Sequence, residues 1–166
     1  MIGCPDEDPM TGRIKEIVSL MGAPNKLFFC GQLGNGLAAK ISNNYLSGTF
    51  LLAISEAMAI GERSGVDKKV LFDVIQNSSG QSWMMDKMCP VPGVVEGAPS
   101  SNDYKSNFPY HLILKDIGLG IDLAGKHGID PSMAILARDT FEKAGKNPKC
   151  EVCAPSFPLF GGVSRS

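Results

Sequence analysis

Gly31-Gln32-Leu33-Gly34-Asn35-Gly36-Leu37-Ala38-Ala39-Lys40-Ile41-Ser42-Asn43-Asn44 is a glycine-rich turn that runs into a helix carrying a lysine. Asn44 follows Lys40 at i+4, one turn later on the same face. A lysine among apolar neighbours has its pKa drawn down and then exchanges protons near neutral pH. An amide one turn away can hold that lysine, or the oxygen it acts on. The pattern suits a site that moves a proton on an alcohol.

Proline sets the organisation around this stretch. After Pro24 the next proline is Pro90, so residues 25–89 are free to be mostly helical. The spacing predicts a long helix from Leu33 or Gly34 to about Arg63. Its apolar residues Leu37, Ile41, Tyr45 and Leu52, and separately Leu46, Phe50, Ile54, Ala57 and Met58, cover more than one face, so it reads as a central helix packed on several sides. Gly48 and Gly61 weaken it or admit a close neighbour. Upstream, Thr11–Leu20 reads as a short helix, and Lys26–Cys30 (Lys-Leu-Phe-Phe-Cys) as a strand.

Downstream, Gly65 ends the long helix and Asp67 caps Lys68–Gln76, with Val70, Leu71, Val74 and Ile75 facing inward. Gln81–Met88 is a further short helix containing Trp83, a residue assigned to core or oligomer packing. Cys89–Asn107 is a long loop, functional or mobile. Phe108–Lys126 is helical, with Pro109 in its first turn and Gly118 and Gly120 allowing close helix contact. Asp130-Pro131 is an N-cap with proline at N1, opening a last helix to about Lys143. The tail after Gly145 reads as irregular.

The fold class is therefore mainly all-α. Residues 31–145 form a helical domain and residues 146–166 a tail. Residues 1–30 are a small α/β piece, too short to close a sheet by itself.

Composition narrows the function. Among 166 residues, 43% are apolar and 20% charged, the balance of an ordinary globular protein with a real core. A net charge of −1 gives no electrostatic footprint for nucleic acid or an anionic membrane. No apolar run reaches the roughly 18–20 residues of a membrane span. The acidic N-terminus, Met1-Ile2-Gly3-Cys4-Pro5-Asp6-Glu7-Asp8, is not read as a targeting peptide. Five scattered cysteines point to reduced thiols. Cys150-x-x-Cys153 is read as part of a surface tail, with half a zinc site or a redox pair as the alternative; no metal site is assigned.

Gly34-x-Gly36-x-x-Ala39 matches the dinucleotide fingerprint locally. The fingerprint also requires a second parallel strand ending in an acidic residue within about 30 residues. Here a long helix and then Asp67-Lys68-Lys69 follow instead. The glycines are read as letting the turn pack closely and place the lysine.

Three segments together resemble the β-hydroxyacid dehydrogenases, most closely the hydroxyisobutyrate branch. The first is Gly31-x-x-Gly34-x-Gly36-x-x-x-Lys40-x-x-Asn43-Asn44, with Ser55-Glu56-Ala57 on the same helix. The second is Ser79-Gly80-x-x-Trp83, leading to Pro90-Val91-Pro92-Gly93-Val94-x-Glu96-Gly97-x-Pro99-Ser100-Ser101-Asn102-x-Tyr104-Lys105. The third is Phe108, then Leu112-x-Leu114-Lys115-Asp116-x-Gly118-Leu119.

The resemblance implies a helical C-terminal dehydrogenase domain that also makes the homo-oligomer, preceded by a Rossmann domain. Residues 1–30 resemble only the last strand-helix-strand of that Rossmann domain. It implies Lys40 as catalytic lysine, with Asn44, Asn43 and Gly36 on the substrate. Lys115 and Phe108 would lie on the cofactor side. The implied cofactor is NAD; the residue that would separate NAD from NADP belongs to the preceding domain. The implied substrate is a small 3-hydroxyacid: 3-hydroxyisobutyrate, oxidised to methylmalonate semialdehyde in valine breakdown. The implied location is mitochondrial. The competing expectation is a non-catalytic helical oligomerisation module of the same family.

Overall fold

A computed structural model describes residues 1–103 and 110–146. Six α-helices occur among them: α1 (Thr11–Ser19), α2 (Asn35–Arg63), α3 (Lys68–Gln76), α4 (Trp83–Met88), α5 (Tyr110–Lys126) and α6 (Ser132–Gly145). Short 3₁₀ turns lie at Pro24–Lys26 and Pro99–Ser101. The mainly-α class is as the sequence predicts. The chain divides into two compact units, Met1–Asn44 and Tyr45–Ser166, with α2 contributing to both.

In the first unit, the segment predicted as a strand, Lys26–Cys30, makes a single parallel bridge between Ile2 and Phe29. The Ile2 N–H donates to the Phe28 carbonyl (2.8 Å) and the Cys30 N–H to the Ile2 carbonyl (2.7 Å). The apolar run supplies the β-propensity, but a lone pairing is no sheet, and the described residues contain no other strand to extend it. Thr11 is buried at the head of α1, its hydroxyl donating to the Pro5 carbonyl (2.8 Å). Lys15 reaches Asp6 (3.1 Å) and stands 4.9 Å from the centre of the Phe29 ring.

The second unit is built on the buried side of α2. Leu51, Met58, Met85, Val91, Ile117 and Phe141 are its largest fully buried apolar residues, drawn from α2, α4, α5, α6 and the loop after α4. The expectation that α2 is packed on several sides needs correcting. Leu52, Ile54 and Met58 are buried, while Leu46, Phe50 and Ile60 are exposed, so among the described residues one face is covered and another is open.

Gly61 explains how α3 approaches so closely: a methyl group there would run into the side chain of Leu71. At Gly48 a Cβ would lie 3.0 Å from Ile117 Cδ1, and at Gly120 it would lie 3.1 Å from Tyr45 Cδ2. Gly118, expected to do the same, has nothing within 4 Å.

Asp67 caps α3 as predicted, accepting from the Lys69 N–H (2.9 Å) and the Val70 N–H (3.1 Å). The inward face of α3 differs from the expectation. Leu71, Phe72 and Ile75 pack on the core, whereas Val70 and Val74 are exposed. A nine-residue helix offers only one narrow stripe to its neighbour, and the i, i+1, i+4 set wins it here. At α6 the N-cap is Pro131 and not Asp130. Asp130 instead accepts from the Ser132 hydroxyl (2.8 Å).

The loop after α4 is stapled rather than loose over its described part, 89–103. The Ser100 hydroxyl donates to the Cys89 carbonyl (2.6 Å), and the Ser101 hydroxyl to the Val95 carbonyl (2.6 Å). The Gly93 N–H returns to Ser101 Oγ (3.1 Å), and Lys68 Nζ donates to the Pro92 carbonyl (2.6 Å). A backbone with its polar groups satisfied this way does not need regular structure to be fixed. Burial pushes the Cys89 thiol pKa up, opposed by a hydrogen bond with the Val91 backbone and the charge of Lys68.

Candidate functional site

The turn before α2 explains itself sterically. Gly31 (φ 85°) and Gly34 (φ 94°) take left-handed conformations that glycine adopts without strain. Gly36 is buried, and a Cβ there would fall 2.7 Å from the Gly3 nitrogen and 3.0 Å from the Met1 carbonyl oxygen. These glycines admit the chain's own backbone, which is the packing role read from the sequence. The space in front of Gly36 that a pyrophosphate would need is filled by residues 1–3.

That packing fixes the start of α2 and so the direction in which the helix leaves the turn. Lys40 is exposed and Asn44 half-buried, one helical turn apart. Among the described residues Lys40 makes no ion pair. The Asn43 side-chain amide donates to the Asn44 side-chain oxygen (3.3 Å), so the two amides form one polar unit. An ammonium with an amide on the same face can hold a hydroxyl or carboxylate oxygen. The described residues leave Lys40 exposed, whereas its sequence neighbours suggest an apolar setting.

In the second unit, Lys115 lies on α5 and is 54% exposed, its Nζ 3.0 Å from Asp116 Oδ1. Asp116 is buried at the residue level. A buried carboxylate needs partners, and the Lys115 ammonium is one of them. The dipeptide Lys115-Asp116 was visible in the sequence, but its carboxylate signalled nothing until burial was known. Phe108 lies outside the described residues, as do Cys150 and Cys153. No group of three or more His, Cys, Asp or Glu side chains among the described residues is placed to hold a metal ion. Trp83, expected in core or oligomer packing, is 66% exposed and so is not in the core of this chain, while Met84 and Met85 turn inward from the same helix.

The described residues thus carry a helix-borne lysine one turn before an amide pair in the first unit and, on another helix in the second, a lysine paired with a carboxylate. Comparison with known proteins gives the particular family. The family model described as "NAD-binding of NADP-dependent 3-hydroxyisobutyrate dehydrogenase" matches residues 34–150. The chain is 43% identical over 110 residues to the mitochondrial 3-hydroxyisobutyrate dehydrogenase of Rattus norvegicus, covering 66% of this chain and 32% of that protein. It is 36% identical over 143 residues to the probable mitochondrial enzyme of Arabidopsis thaliana, covering 86% of this chain and 40% of that one.

Among solved structures, the Mycobacterium tuberculosis 3-hydroxyisobutyrate dehydrogenase with L-serine superposes with TM-score 0.80 at 32% identity. The match covers 95% of this chain and 52% of that one. This chain belongs to the 3-hydroxyisobutyrate dehydrogenase family, a family of NAD-dependent oxidoreductases. It spans about a third to two-fifths of the length of the curated relatives it matches. Several of those relatives are mitochondrial and others are bacterial.

Proposed function

We propose that residues 31–145 are the proton-handling half of an NAD-dependent 3-hydroxyisobutyrate dehydrogenase, and residues 1–30 the end of its Rossmann domain. Its reaction oxidises 3-hydroxyisobutyrate to methylmalonate semialdehyde, the step expected in valine breakdown, in mitochondria where the host has them. The observation that carries this reading is Lys40, exposed one turn before the Asn43–Asn44 pair and set by a turn whose glycines pack on backbone.

The residues present fit the nicotinamide side of such a site. Lys115 is exposed and held by Asp116, an arrangement that can meet an anionic or carbonyl oxygen. Phe108 is the other residue assigned there. When bound, NAD supplies the hydride acceptor. The chain's own residues manage the proton. Neutral Lys40 takes it from the substrate hydroxyl and, in the reverse direction, returns it as the ammonium. Asn44 and Asn43 hold the oxygen in line with Lys40 Nζ, and Gly36 serves the substrate site by packing the turn against residues 1–3 and so setting the start of α2. The water exclusion that a neutral lysine needs is assigned to the rest of the enzyme closing over the exposed end of α2.

The test is a chimaera in which residues 31–145 replace the matching part of the Mycobacterium tuberculosis enzyme. NADH production from 3-hydroxyisobutyrate and NAD is the expected result. A folded chimaera that turns over no hydroxyacid would overturn the assignment. A second reading, a non-catalytic helical module that associates with itself, is favoured by one specific observation: the exposed apolar side chains of α2, Leu46, Phe50 and Ile60.

A further inference from the structure

Asn35-Gly36 is the single Asn-Gly pair among the 166 residues. Such a pair has a reactivity of its own. The Gly36 peptide nitrogen can attack the Asn35 side-chain carbonyl carbon, closing a succinimide ring and expelling ammonia. Water then opens the ring: at the side-chain carbonyl it leaves aspartate, at the main-chain carbonyl isoaspartate. Glycine favours the attack because it has no side chain to shield the nitrogen or to restrict the rotation that brings it round. Asn35 is exposed, so water reaches it. The fold opposes the attack. Asn35 is the first residue of α2, and helical backbone angles point the next nitrogen away from ring closure. Its amide is turned back along the helix, as helical side chains are: a Cβ at Gly31 would lie 3.2 Å from Asn35 Nδ2. Gly36 is buried under residues 1–3, and a Cβ at Gly3 would lie 3.4 Å from the Gly36 nitrogen. The backbone of Gly3 thus lies over the nitrogen that would have to swing out.

We propose that Asn35 is a site of spontaneous conversion to isoaspartate whose rate is set by residues 1–3: covered, the pair is stable; uncovered, it cyclises. The cover is lightly fastened. Among the described residues, the Ile2–Phe29 bridge and its flanking hydrogen bonds tie residues 1–3 to Lys26–Cys30. A segment held by so few bonds opens locally far more often than the whole chain unfolds. The position makes the conversion consequential. An isoaspartyl linkage runs through Cβ and Cγ, so it adds a methylene to the main chain in a turn where backbone packs on backbone. It also leaves a free carboxylate, one new negative charge, at the head of α2. The start of the helix that carries Lys40 is thereby displaced. The modified form gains a partner of defined chemistry as well: an exposed isoaspartyl carboxylate is the group that isoaspartate-specific carboxyl methyltransferases esterify, with S-adenosylmethionine as methyl donor. The proposal stands on this packing and does not depend on the chemistry at Lys40.

The 166-residue chain is aged in warm, mildly alkaline buffer, with and without urea. Conversion is read in the tryptic peptide Leu27–Lys40 as the mass change from replacing the amide NH₂ by OH. Isoaspartate is read as methyl transfer from labelled S-adenosylmethionine by an isoaspartate methyltransferase. The proposal expects Asn35 to convert ahead of every other asparagine, and about tenfold or more faster in unfolding urea than in the native chain. Gly3→Val sets a branched side chain where a Cβ already lies 3.1 Å from the Gln32 carbonyl oxygen and the Gly34 nitrogen. It should raise the native rate toward the urea rate with helix content retained. Should that variant not fold, the parent chain in urea below its unfolding midpoint makes the same test: conversion should quicken before helix content falls. Asn35→Gln removes both signals. A native chain that converts as fast as the unfolded one, or a folded Gly3→Val that converts no faster than its parent, would overturn the protective role of residues 1–3. An unfolded chain in which Asn35 survives would overturn the site itself.

Discussion

The two ends of α2 are used differently. From Gly48 to Gly61 the helix is mostly covered, its partners chosen by shape: Gly48 against Ile117, Gly61 against Leu71. From Leu37 to Asn43 it is mostly exposed and ends in a lysine and paired amides. The buried end holds the second unit together. The exposed end, in the function proposed here, carries the groups that handle the proton. Positioning is inherited: Gly36 against the backbone of residues 1–3 fixes where the exposed end starts, at no cost to the residues after it.

Substitutions at the two ends should therefore separate by size. The largest loss belongs to the core on which the buried end packs. Phe141→Ala removes a ring that is 2% exposed. It is expected to cost about 3–5 kcal/mol, read from the urea midpoint of the purified chain. Gly61→Val drives a branched side chain into Leu71 and is expected to cost about 1–3 kcal/mol in the same measurement. A result near zero would mean that α3 shifts without loss and that the close approach is not required.

A chemical probe gives the next contrast. The Cys89 thiol is buried and its pKa raised, so at any pH near 8 less of it is thiolate than of an ordinary thiol. Iodoacetamide at that pH should modify half-buried Cys30 well before Cys89, and Cys89 should react at a normal rate only in urea. Equal labelling of both would show that the stapled loop opens readily.

Much of the fold could be read before the structure. The bounds of α3 and its Asp67 cap follow from a local hydrogen bond between a carboxylate and two N–H groups, which needs no tertiary information. The long α2 was legible because no proline interrupts it. What failed was face and context. Val70 and Val74 are apolar like Leu71 and Ile75, and only the placement of α3 on the core decides which pair packs against it. Lys26–Cys30 has strand propensity but too little to pair with. The stapling of residues 89–103 depends on Ser100 and Ser101 reaching backward in sequence, which composition registers only as a polar loop.

The site shows the same division. The one-turn separation of Lys40 and Asn44 follows from helical spacing alone and could be read from the sequence. The burial of Asp116 beside Lys115, and the exposure of Trp83, come from packing between elements and were not.

The most telling experiment is Lys40→Ala, with unfolding and turnover measured on the same protein. In the chain, this substitution should change the unfolding free energy by no more than about 0.5 kcal/mol, as at an exposed position without packing. In the chimaera carrying residues 31–145, it should lower kcat for 3-hydroxyisobutyrate by about 10²–10⁴-fold, the share of a general base. A variant that unfolds easily, or one that keeps its turnover, would contradict the claim that the exposed end of α2 is reserved for chemistry.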